Sequence, residues 1–263
     1  MKQKEILLFG ATGQIGRNLI RKLTKNNYKI TAVTRNIHTA GYILKTQANP
    51  GYLELVELKN FNLNTIDELF KKSSICINLI GILIEKRKNE FKQIHSDLPA
   101  LLSKKSNEFN LEKFIHLSAL GIEKANDSNY AMSKLDGEKR IKENFKKSII
   151  LKPSIVYSVD DKFSTRFMSL LKVLPVMPLY YGGNTKFSPI HVTDMVEVIY
   201  KIIESQHKNY VLECIGPEEL TFKEILKQLL NSIEKKKDLI TLTFANRKIV
   251  CKISSTTTKS TFN

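Results

Sequence analysis

The sequence predicts an α/β protein with a doubly wound parallel β-sheet, and two patterns along the chain predict it. Over residues 1–153, short apolar runs alternate with stretches in which apolar residues recur at helical spacing. A glycine-rich segment, GATGQIG, joins the first apolar run to the first helical stretch. Strands that alternate with helices form parallel sheets covered on both faces, because each helix returns the chain across a face of the sheet.

Six strands are predicted from the apolar runs: residues 5–9, 29–33, 53–57, 75–79, 113–117 and 148–152. Helices are predicted between them: residues 14–25, 64–72, 88–108 and 130–146. In the first helix, Ile15, Leu19 and Leu23 fall on one face, as expected of a helix that covers a sheet. Parallel sheets bind ligands beyond the carboxyl ends of their strands, so functional residues are expected in the loops that follow the strands.

Beyond residue 153 the alternation loosens, and we expect a small C-terminal cap lobe over residues 154–245. Its predicted elements are a helix, a short strand in FSPIH, a helix that begins near Val192, a strand and a last helix: residues 163–174, 187–191, 192 onward, 209–213 and 222–234. The apolar segment LLKVLPVMPLYY is expected to form the core of the lobe or a lid, with membrane contact as the alternative. Residues 246–263 are polar and low in complexity, which predicts a disordered tail.

The charge of the chain bears on its partners. The net charge is +16, a value that raises nucleic acid or an anionic membrane as a partner. Only 7 of the 42 basic residues are arginine, the side chain whose planar fork suits bases and phosphates. We therefore interpret the lysines as a solvated surface and expect no nucleic-acid partner. The alternative is a weakly basic face toward a phosphorylated ligand, an anionic lipid or an acidic subunit.

The cysteines and the apolar segments bear on location. Cys76, Cys214 and Cys251 are odd in number and far apart, a pattern typical of a reducing compartment and of neither disulfides nor a zinc site. The first apolar run is too short for a signal peptide. The longest apolar stretch, residues 75–84, falls short of the ~20 residues that a membrane span needs. These features predict a cytoplasmic protein without a metal site.

The glycine loop predicts a dinucleotide site on a Rossmann-type fold. Gly10 permits a tight turn after the first strand, Gly13 lets the backbone approach a pyrophosphate, and Gly16 lets the helix pack closely on the sheet. The N-terminus of the following helix offers amide groups and a positive dipole end to the phosphates. We therefore predict that the loop binds the pyrophosphate of a dinucleotide.

The end of the second strand predicts which dinucleotide. An acidic residue there binds the ribose 2′-hydroxyl of NAD, whereas arginine accepts the 2′-phosphate of NADP. The strand ends in TAVTRN, which provides Arg35 and no acid, and Arg17 lies just inside the first helix. We therefore predict NADP(H) as the preferred cofactor, with NAD(H) as the alternative.

A second group of residues predicts proton transfer. Tyr130 and Lys134 are four residues apart and share one face of a helix. An ammonium beside a phenol is expected to lower the phenol pKa, which suits acid–base chemistry at neutral pH. Ser118, at the end of the fifth strand, is expected to orient a substrate carbonyl or alcohol. The three residues form a candidate triad for hydride transfer at a nicotinamide.

Several of these motifs resemble the short-chain dehydrogenase/reductase superfamily, in its extended or atypical branch of NAD-dependent epimerases and dehydratases. The similarity lies in the cofactor loop GATGQIG, the YxxxK helix with its Gly137-Glu138 continuation, and two later segments: LKPSIVYS (151–158) and HVTD (191–194). The turn NLIG (78–81), with KFIHLSALG (113–121), is similar to the dehydrogenase-like accessory subunit of respiratory complex I and its bacterial relatives.

The resemblance implies a set of cofactor contacts and a choice of functions. The implied contacts are those of the glycine loop and of the later strand ends: Gly10, Thr12, Gly13, Gln14, Ile15, Gly16, Arg35, Leu79, Gly81, Lys134 and Pro153. The implied function is hydride transfer with an unidentified carbonyl or alcohol substrate. The first alternative is a low-turnover accessory protein with a respiratory or membrane-peripheral partner, at the inner membrane. The second alternative is a nucleotide-sugar epimerase or dehydratase.

Overall fold

A computed structural model describes residues 4–58, 63–125, 127–206, 210–234 and 237–241 of the chain. The chain divides into two compact units, Met1–Val156 with Ile190–Ile215, and Tyr157–Pro189 with Gly216–Asn263. None of the helices in the described parts of the chain combines the length and the apolar character needed to cross a bilayer.

The strands, in chain order, are β1 (Glu5–Phe9), β2 (Lys29–Thr34), β3 (Leu53–Glu57), β4 (Ile75–Asn78), β5 (Lys113–Leu117), β6 (Ser148–Pro153), β7 (Val156–Tyr157), β8 (Met177–Leu179), β9 (Lys186–Phe187), β10 (Ile190–His191), β11 (Tyr210–Cys214), β12 (Leu220–Thr221) and β13 (Leu239–Thr241). The helices are α1 (Gln14–Lys25), α2 (Ile37–Lys45), α3 (Leu63–Lys72), α4 (Glu90–Lys92), α5 (Leu98–Glu108), α6 (Asn129–Asn144), α7 (Lys162–Val173), α8 (Val192–Glu204) and α9 (Phe222–Ser232). A π-helical segment, Gln93–Asp97, joins α4 to α5.

The first unit is built on a seven-stranded sheet with the order β11-β6-β5-β4-β1-β2-β3. Every neighbouring pair in it is parallel. After β3 the chain crosses back to place β4 beside β1, so the loops that leave β1 and β4 diverge at the carboxyl edge of the sheet. The predicted α/β class is confirmed, and the point where the strand order reverses is where such sheets bind ligands.

Both faces of the sheet are buried. Along β1, Ile6 and Leu8 enter one apolar cluster, whereas Leu7 and Phe9 enter the other, and all four are fully buried. Helices α1 and α8 supply the first cluster, and α3, α5 and α6 supply the second. A strand buried on both faces has no polar side, which explains the unbroken apolar runs in the sequence.

Residues 190–215 lie in the first unit, whereas the predicted cap lobe began at residue 154. The physical reason is that α8 packs on α1 and β11 pairs with β6 at the edge of the sheet. Lys113 secures this arrangement, because its buried ammonium donates to the carbonyls of Ile202 (2.6 Å) and Ile203 (3.2 Å) and to that of Ser205, at the end of α8.

Several elements differ from the predicted ones, including the short strands β7, β8, β12 and β13, which were not predicted. Helix α2 was not predicted, because only Ala40 and Leu44 are buried along it; its N-cap, Asn36, accepts the Thr39 N–H at 3.0 Å. The predicted helix over residues 88–108 begins at residue 90 and contains the π-helical segment. The predicted strand in FSPIH is two short strands, β9 and β10, since Pro189 has no N–H for a strand ladder.

The second unit has its own small core. The buried residues are Leu171, Met177, Leu179, Leu226 and Leu230. Within it α7 packs on α9, β8 pairs with β13, and β9 pairs with β12. Part of the apolar segment LLKVLPVMPLYY therefore packs as core. The predicted disordered tail, residues 246–263, lies outside the described residues.

Candidate nucleotide-binding and catalytic site

Two glycines of the GATGQIG loop are required by the packing of the chain itself. Gly10 has φ +83°, and a Cβ there would lie 2.8 Å from the carbonyl carbon of Leu79 in the turn after β4. A Cβ on Gly16 would lie 2.5 Å from the Gly10 oxygen and 2.6 Å from the Ala11 oxygen. These contacts are with backbone, which cannot move aside cheaply, so both positions exclude a side chain.

Gly13 is different, because none of the described residues requires a glycine there. Its φ of −70° and ψ of 166° suit any residue, and the nearest atom to a Cβ would be the Gly10 oxygen at 3.4 Å. Gly13 is also the N-cap of α1, and this helix start has neither a side-chain cap nor an acidic residue in its first turn. A glycine that the packing does not require, at an uncapped helix start, fits the pyrophosphate of a dinucleotide.

Three other predicted contacts lie on the same loop. Thr12 is exposed, and its carbonyl accepts from the Arg17 guanidinium at 2.9 Å. The Gln14 amide nitrogen donates to the Val156 carbonyl at 2.9 Å, which ties the start of α1 to the segment after β6. The Ile15 side chain is buried in the core, so its backbone is the part available to a ligand.

Arg35 lies directly after β2 and is exposed. A carboxylate stands at the end of the neighbouring strand, since Glu57 of β3 is in register with Thr34 of β2. That carboxylate accepts the Ile37 N–H at 2.8 Å, at the start of α2. The strand end that distinguishes NAD from NADP therefore carries an exposed arginine and an acid already bonded to a helix amide.

The turn after β4 brings Gly81 to Lys134. The Leu79 N–H donates to the Phe9 carbonyl at 3.0 Å, which holds this turn beside the glycine loop. The Ile80 N–H donates to the Asn78 side-chain oxygen at 3.1 Å. A Cβ on Gly81 would lie 3.5 Å from the Lys134 ammonium. The predicted contacts Leu79, Gly81 and Lys134 are therefore neighbours at the carboxyl edge of the sheet.

Lys134 is buried at the junction of three elements. It lies on α6, whose N-cap Ser128 accepts the Ala131 N–H, and only 4% of its surface is exposed. Its ammonium donates to the Leu117 carbonyl, at the end of β5, at 3.0 Å. Burial lowers the pKa of Lys134 to about 8, while the nearby charge of Glu138 opposes that shift. The side chain is therefore a mostly charged donor at neutral pH in a place shielded from water.

Tyr130 stands one turn before Lys134 and is half-buried against aromatic rings. Its ring meets the rings of His95 at 5.2 Å and Phe91 at 5.8 Å, both edge-on. Burial raises the pKa of the Tyr130 phenol above its ordinary value. The expectation that Lys134 lowers this pKa was wrong for this structure, because the ammonium is directed to the Leu117 carbonyl. The phenol is therefore protonated at neutral pH.

Ser118 is engaged elsewhere. Its hydroxyl donates to the Glu138 carboxylate at 2.5 Å, and only 5% of the residue is exposed. Glu138 also accepts from the Lys152 ammonium at 3.0 Å, and Lys152 in turn donates to Glu123. The Ser118 hydroxyl proton is thus directed to a buried ion pair between α6 and β6. The role expected of Ser118 in orienting a substrate oxygen stays a prediction.

Pro153 is buried at the end of β6, in register with Cys214 of β11. Its carbonyl accepts the Leu120 N–H at 3.0 Å, so this strand end also reaches the carboxyl edge. Among the described residues, no group of three or more His, Cys, Asp or Glu side chains could hold a metal ion.

His95 is a residue of this site that the sequence did not predict. It is fully buried in the π-helical segment, and its ring nitrogens face two parts of the site: Ile82 after β4 and Ser133 on α6. No local motif marks such a residue, because its partners lie 13 and 38 positions away. The break in helical geometry around His95 marks it in the structure, and no pattern in the sequence shows that break.

The topology, the glycine loop after β1 and the Tyr-Lys pair on α6 define a dinucleotide-binding protein of the Rossmann type. The chain belongs to the NAD dependent epimerase/dehydratase family, whose profile matches residues 6–212. This is an NAD-binding family that includes many enzymes.

Two curated relatives are subunits of respiratory complex I. The NADH-ubiquinone oxidoreductase 40 kDa subunit of Neurospora crassa is 22% identical over 231 residues, which cover 88% of this chain and 60% of that protein. The NADH dehydrogenase (ubiquinone) 1 alpha subcomplex subunit 9 of Dictyostelium discoideum is 27% identical over 225 residues, which cover 85% and 62%. The chain thus spans about three fifths of the length of these relatives.

A solved structure shows the same fold. The UDP-glucuronic acid 4-epimerase of Bacillus cereus, in complex with UDP-glucuronic acid and NAD, matches with a TM-score of 0.75. The identity is 19%, and the match covers 91% of this chain and 86% of that chain. At this identity the likeness concerns the fold alone.

Proposed function

We propose that the protein binds a nicotinamide dinucleotide and transfers hydride between it and a carbonyl or alcohol group of a small molecule. The observation that carries the proposal is Gly13 at the uncapped start of α1, a glycine that the packing of the described residues does not require. The glycine loop touches the turn that holds Gly81 beside Lys134, so one extended ligand can reach both. The pyrophosphate and the nicotinamide would then lie at neighbouring parts of the carboxyl edge of the sheet.

Different groups of the protein would contact the pyrophosphate, the 2′-phosphate and the nicotinamide end of the dinucleotide. Main-chain amides of residues 13–16 would face the pyrophosphate. The close packing that excludes side chains at Gly10 and Gly16 supports this placement, because it fixes the path of the loop backbone. Exposed Arg35 would pair with a 2′-phosphate, so we propose NADP(H) as the preferred form and NAD(H) as the weaker one. Leu79, Gly81, Lys134 and Pro153 would line the nicotinamide end. Family membership supports the binding of a dinucleotide. The preference for NADP(H) over NAD(H) is tested by titration with both.

The bound dinucleotide would supply or accept the hydride. Tyr130 is the proposed acid and base: its protonated phenol donates to the substrate oxygen as a carbonyl is reduced to an alcohol. The phenol carries its proton at neutral pH, as donation to the substrate oxygen requires, and burial raises its pKa further. Lys134 would bind the nucleotide with an ammonium already fixed by the Leu117 carbonyl.

A second function is favoured by one observation. Ser118, the third member of the expected triad, already donates its hydroxyl proton to Glu138, which favours a protein with low turnover. The relatives from respiratory complex I support the same second function. In this second proposal the protein retains its nucleotide with little turnover and acts as an accessory element beside a respiratory or membrane-peripheral partner.

Three measurements on the purified protein test these proposals. Mass spectrometry of the small molecules released on denaturation identifies a bound nucleotide, and titration with NADPH and NADH gives the affinities. Turnover is then followed with a panel of carbonyl compounds for the natural protein and for Tyr130→Phe. We expect the variant to bind NADPH as before and to lose turnover about 10²-fold or more.

The outcomes separate the candidates. Turnover that survives in Tyr130→Phe removes the proposed acid and base. A nucleotide that copurifies, exchanges slowly and raises the melting temperature, with no turnover on any compound, favours the accessory function. A natural protein that binds neither NADPH nor NADH contradicts both.

A further inference from the structure

We infer that His95 is a positioning residue that holds the Gly81 turn and the Tyr130–Lys134 helix in register at the nicotinamide end of the site. The inference rests on the proposed nucleotide site and adds a residue to it. His95 sits between the loop after β4 and α6, and a Cβ on Gly81 would lie 3.9 Å from its Nε2 and 3.5 Å from the Lys134 ammonium.

Two hydrogen bonds join the imidazole to these elements. The Ile82 N–H donates to His95 Nε2 at 3.1 Å, next to Gly81. On the other side, His95 Nδ1 lies 3.0 Å from the Ser133 hydroxyl oxygen. The Ser133 hydroxyl itself donates to the Tyr130 carbonyl at 2.8 Å. The ring therefore links the turn after β4 to the first turn of α6 through one continuous chain of polar groups.

The protons of this chain can be assigned. Because Nε2 accepts from a backbone amide, the neutral ring carries its proton on Nδ1 and donates it to Ser133. Burial, and secondly the charge of Lys134, lower the pKa of His95 to about 3. One tautomer is thus maintained over the physiological range, and each donor has one acceptor. A group that neither titrates nor flips suits a positioning role.

Aromatic contacts orient the same ring and the Tyr130 ring. Phe91 stacks on His95 with centroids 5.4 Å apart and planes 19° apart. Tyr130 meets His95 edge-on, at 5.2 Å and 86°. The three rings form a small cluster in which the imidazole lies against both others. Loss of the imidazole would therefore release the Tyr130 ring as well as two hydrogen bonds.

The backbone around His95 is shaped to bring the ring into place. His95 lies in the π-helical segment, Gln93–Asp97. Its carbonyl oxygen is so close to α6 that a Cβ on Gly137 would lie 1.9 Å from it. Only glycine permits that approach, so the wider π turn and Gly137 together seat the histidine against the helix that carries Tyr130 and Lys134. Among the described residues, the charged or titratable groups that face the ring are Lys134, buried His116 and the Tyr130 phenol.

Three substitutions separate the parts of the contact. His95→Gln keeps an acceptor near Nε2, His95→Asn keeps a donor near Nδ1, and His95→Phe keeps the ring without either nitrogen. The measurements are the NADPH dissociation constant, the hydrogen exchange rate of the Ile82 amide, and the Tyr130 pKa from near-ultraviolet absorbance against Tyr130→Phe. All are made where urea titration shows each variant folded.

The expected results differ between variants. His95→Gln retains a protected Ile82 amide and an NADPH affinity within about threefold of the natural value. His95→Asn and His95→Phe lose the protection and weaken NADPH binding about tenfold, the value of one ordinary hydrogen bond. His95→Phe keeps the raised pKa of Tyr130, whereas the other two lower it toward its ordinary value because the ring cover is lost.

The inference is overturned if folded His95→Phe shows natural NADPH affinity and a protected Ile82 amide. It is also overturned if His95→Gln and His95→Asn weaken binding equally, since a general loss of stability would then explain both. A natural protein that binds no nucleotide contradicts the proposed function instead. In that case the Ile82 exchange rate and the Tyr130 pKa still decide whether His95 couples the two elements.

Discussion

Substitution of Gly13 by alanine should separate ligand binding from folding. The backbone angles at Gly13 suit alanine, and the nearest atom to the new Cβ would be 3.4 Å away, so no backbone movement is needed. A compatible Gly→Ala change gains about 0.4–1 kcal/mol by restricting the unfolded chain. We therefore expect the free energy of unfolding to change by less than about 1 kcal/mol. The new methyl group occupies the space proposed for the pyrophosphate, and NADPH affinity should fall at least tenfold, about 1.4 kcal/mol.

Gly16→Ala is the matched control. Its Cβ would lie 2.5 Å and 2.6 Å from two backbone oxygens, so the start of α1 must shift to admit it. Overpacking of a rigid site costs about 1–3 kcal/mol, and we expect the upper end because no side chain can move aside. Urea denaturation gives the free energies, and NADPH fluorescence titration gives the affinities. Unchanged NADPH binding by folded Gly13→Ala would refute the proposed role of the loop.

Three further predictions follow from single sites. Arg35→Ala should weaken NADPH binding more than NADH binding; equal losses in parallel titrations would contradict the proposed 2′-phosphate contact. Lys113→Met should lower the free energy of unfolding in urea by about 2 kcal/mol, because buried carbonyls at the end of α8 lose their donor; a change under about 0.5 kcal/mol would argue against this cap. The pKa of His95 is lowered to about 3 in the folded protein, so the unfolded chain binds more protons between pH 6.5 and 3. Stability should therefore fall as the pH drops through that window, less steeply in His95→Phe, with urea titrations at several pH values as the measurement; equal slopes would count against the assignment.

The strands and most helices were predictable because their signals are local. The six predicted strands match β1 to β6 to within one residue. Strands such as β1 and β4, which are buried on both faces, appear as apolar runs, whereas β3 mixes polar and apolar residues. Helix α2 was not predicted, because only two of its residues, Ala40 and Leu44, are buried and an apolar period therefore does not appear in the sequence. The π-helical segment was not predictable either, since it is stabilised by packing against α6 and by no residue pattern of its own.

In the candidate site, too, some features could be predicted from neighbouring residues and others depend on contacts between distant ones. The glycine loop and the Tyr130–Lys134 pair depend on residues that are close in sequence, and the structure brings them to one edge. The role expected of Ser118 depended on the direction of its hydroxyl, which Glu138 on α6 determines. The lowered pKa expected for Tyr130 depended on where the Lys134 ammonium points, and the carbonyl of Leu117 determines that.

The sequence by itself determined the order of strands and helices, the position of the glycine loop and the family. Each of these is encoded by neighbouring residues, through periodicity, backbone freedom and local motifs. Only the tertiary structure decided which polar groups meet, which phenol keeps its proton and that His95 belongs to the site. Hydrogen bonds and pKa values depend on burial and on partners distant in the chain, such as the 38 positions between His95 and Ser133.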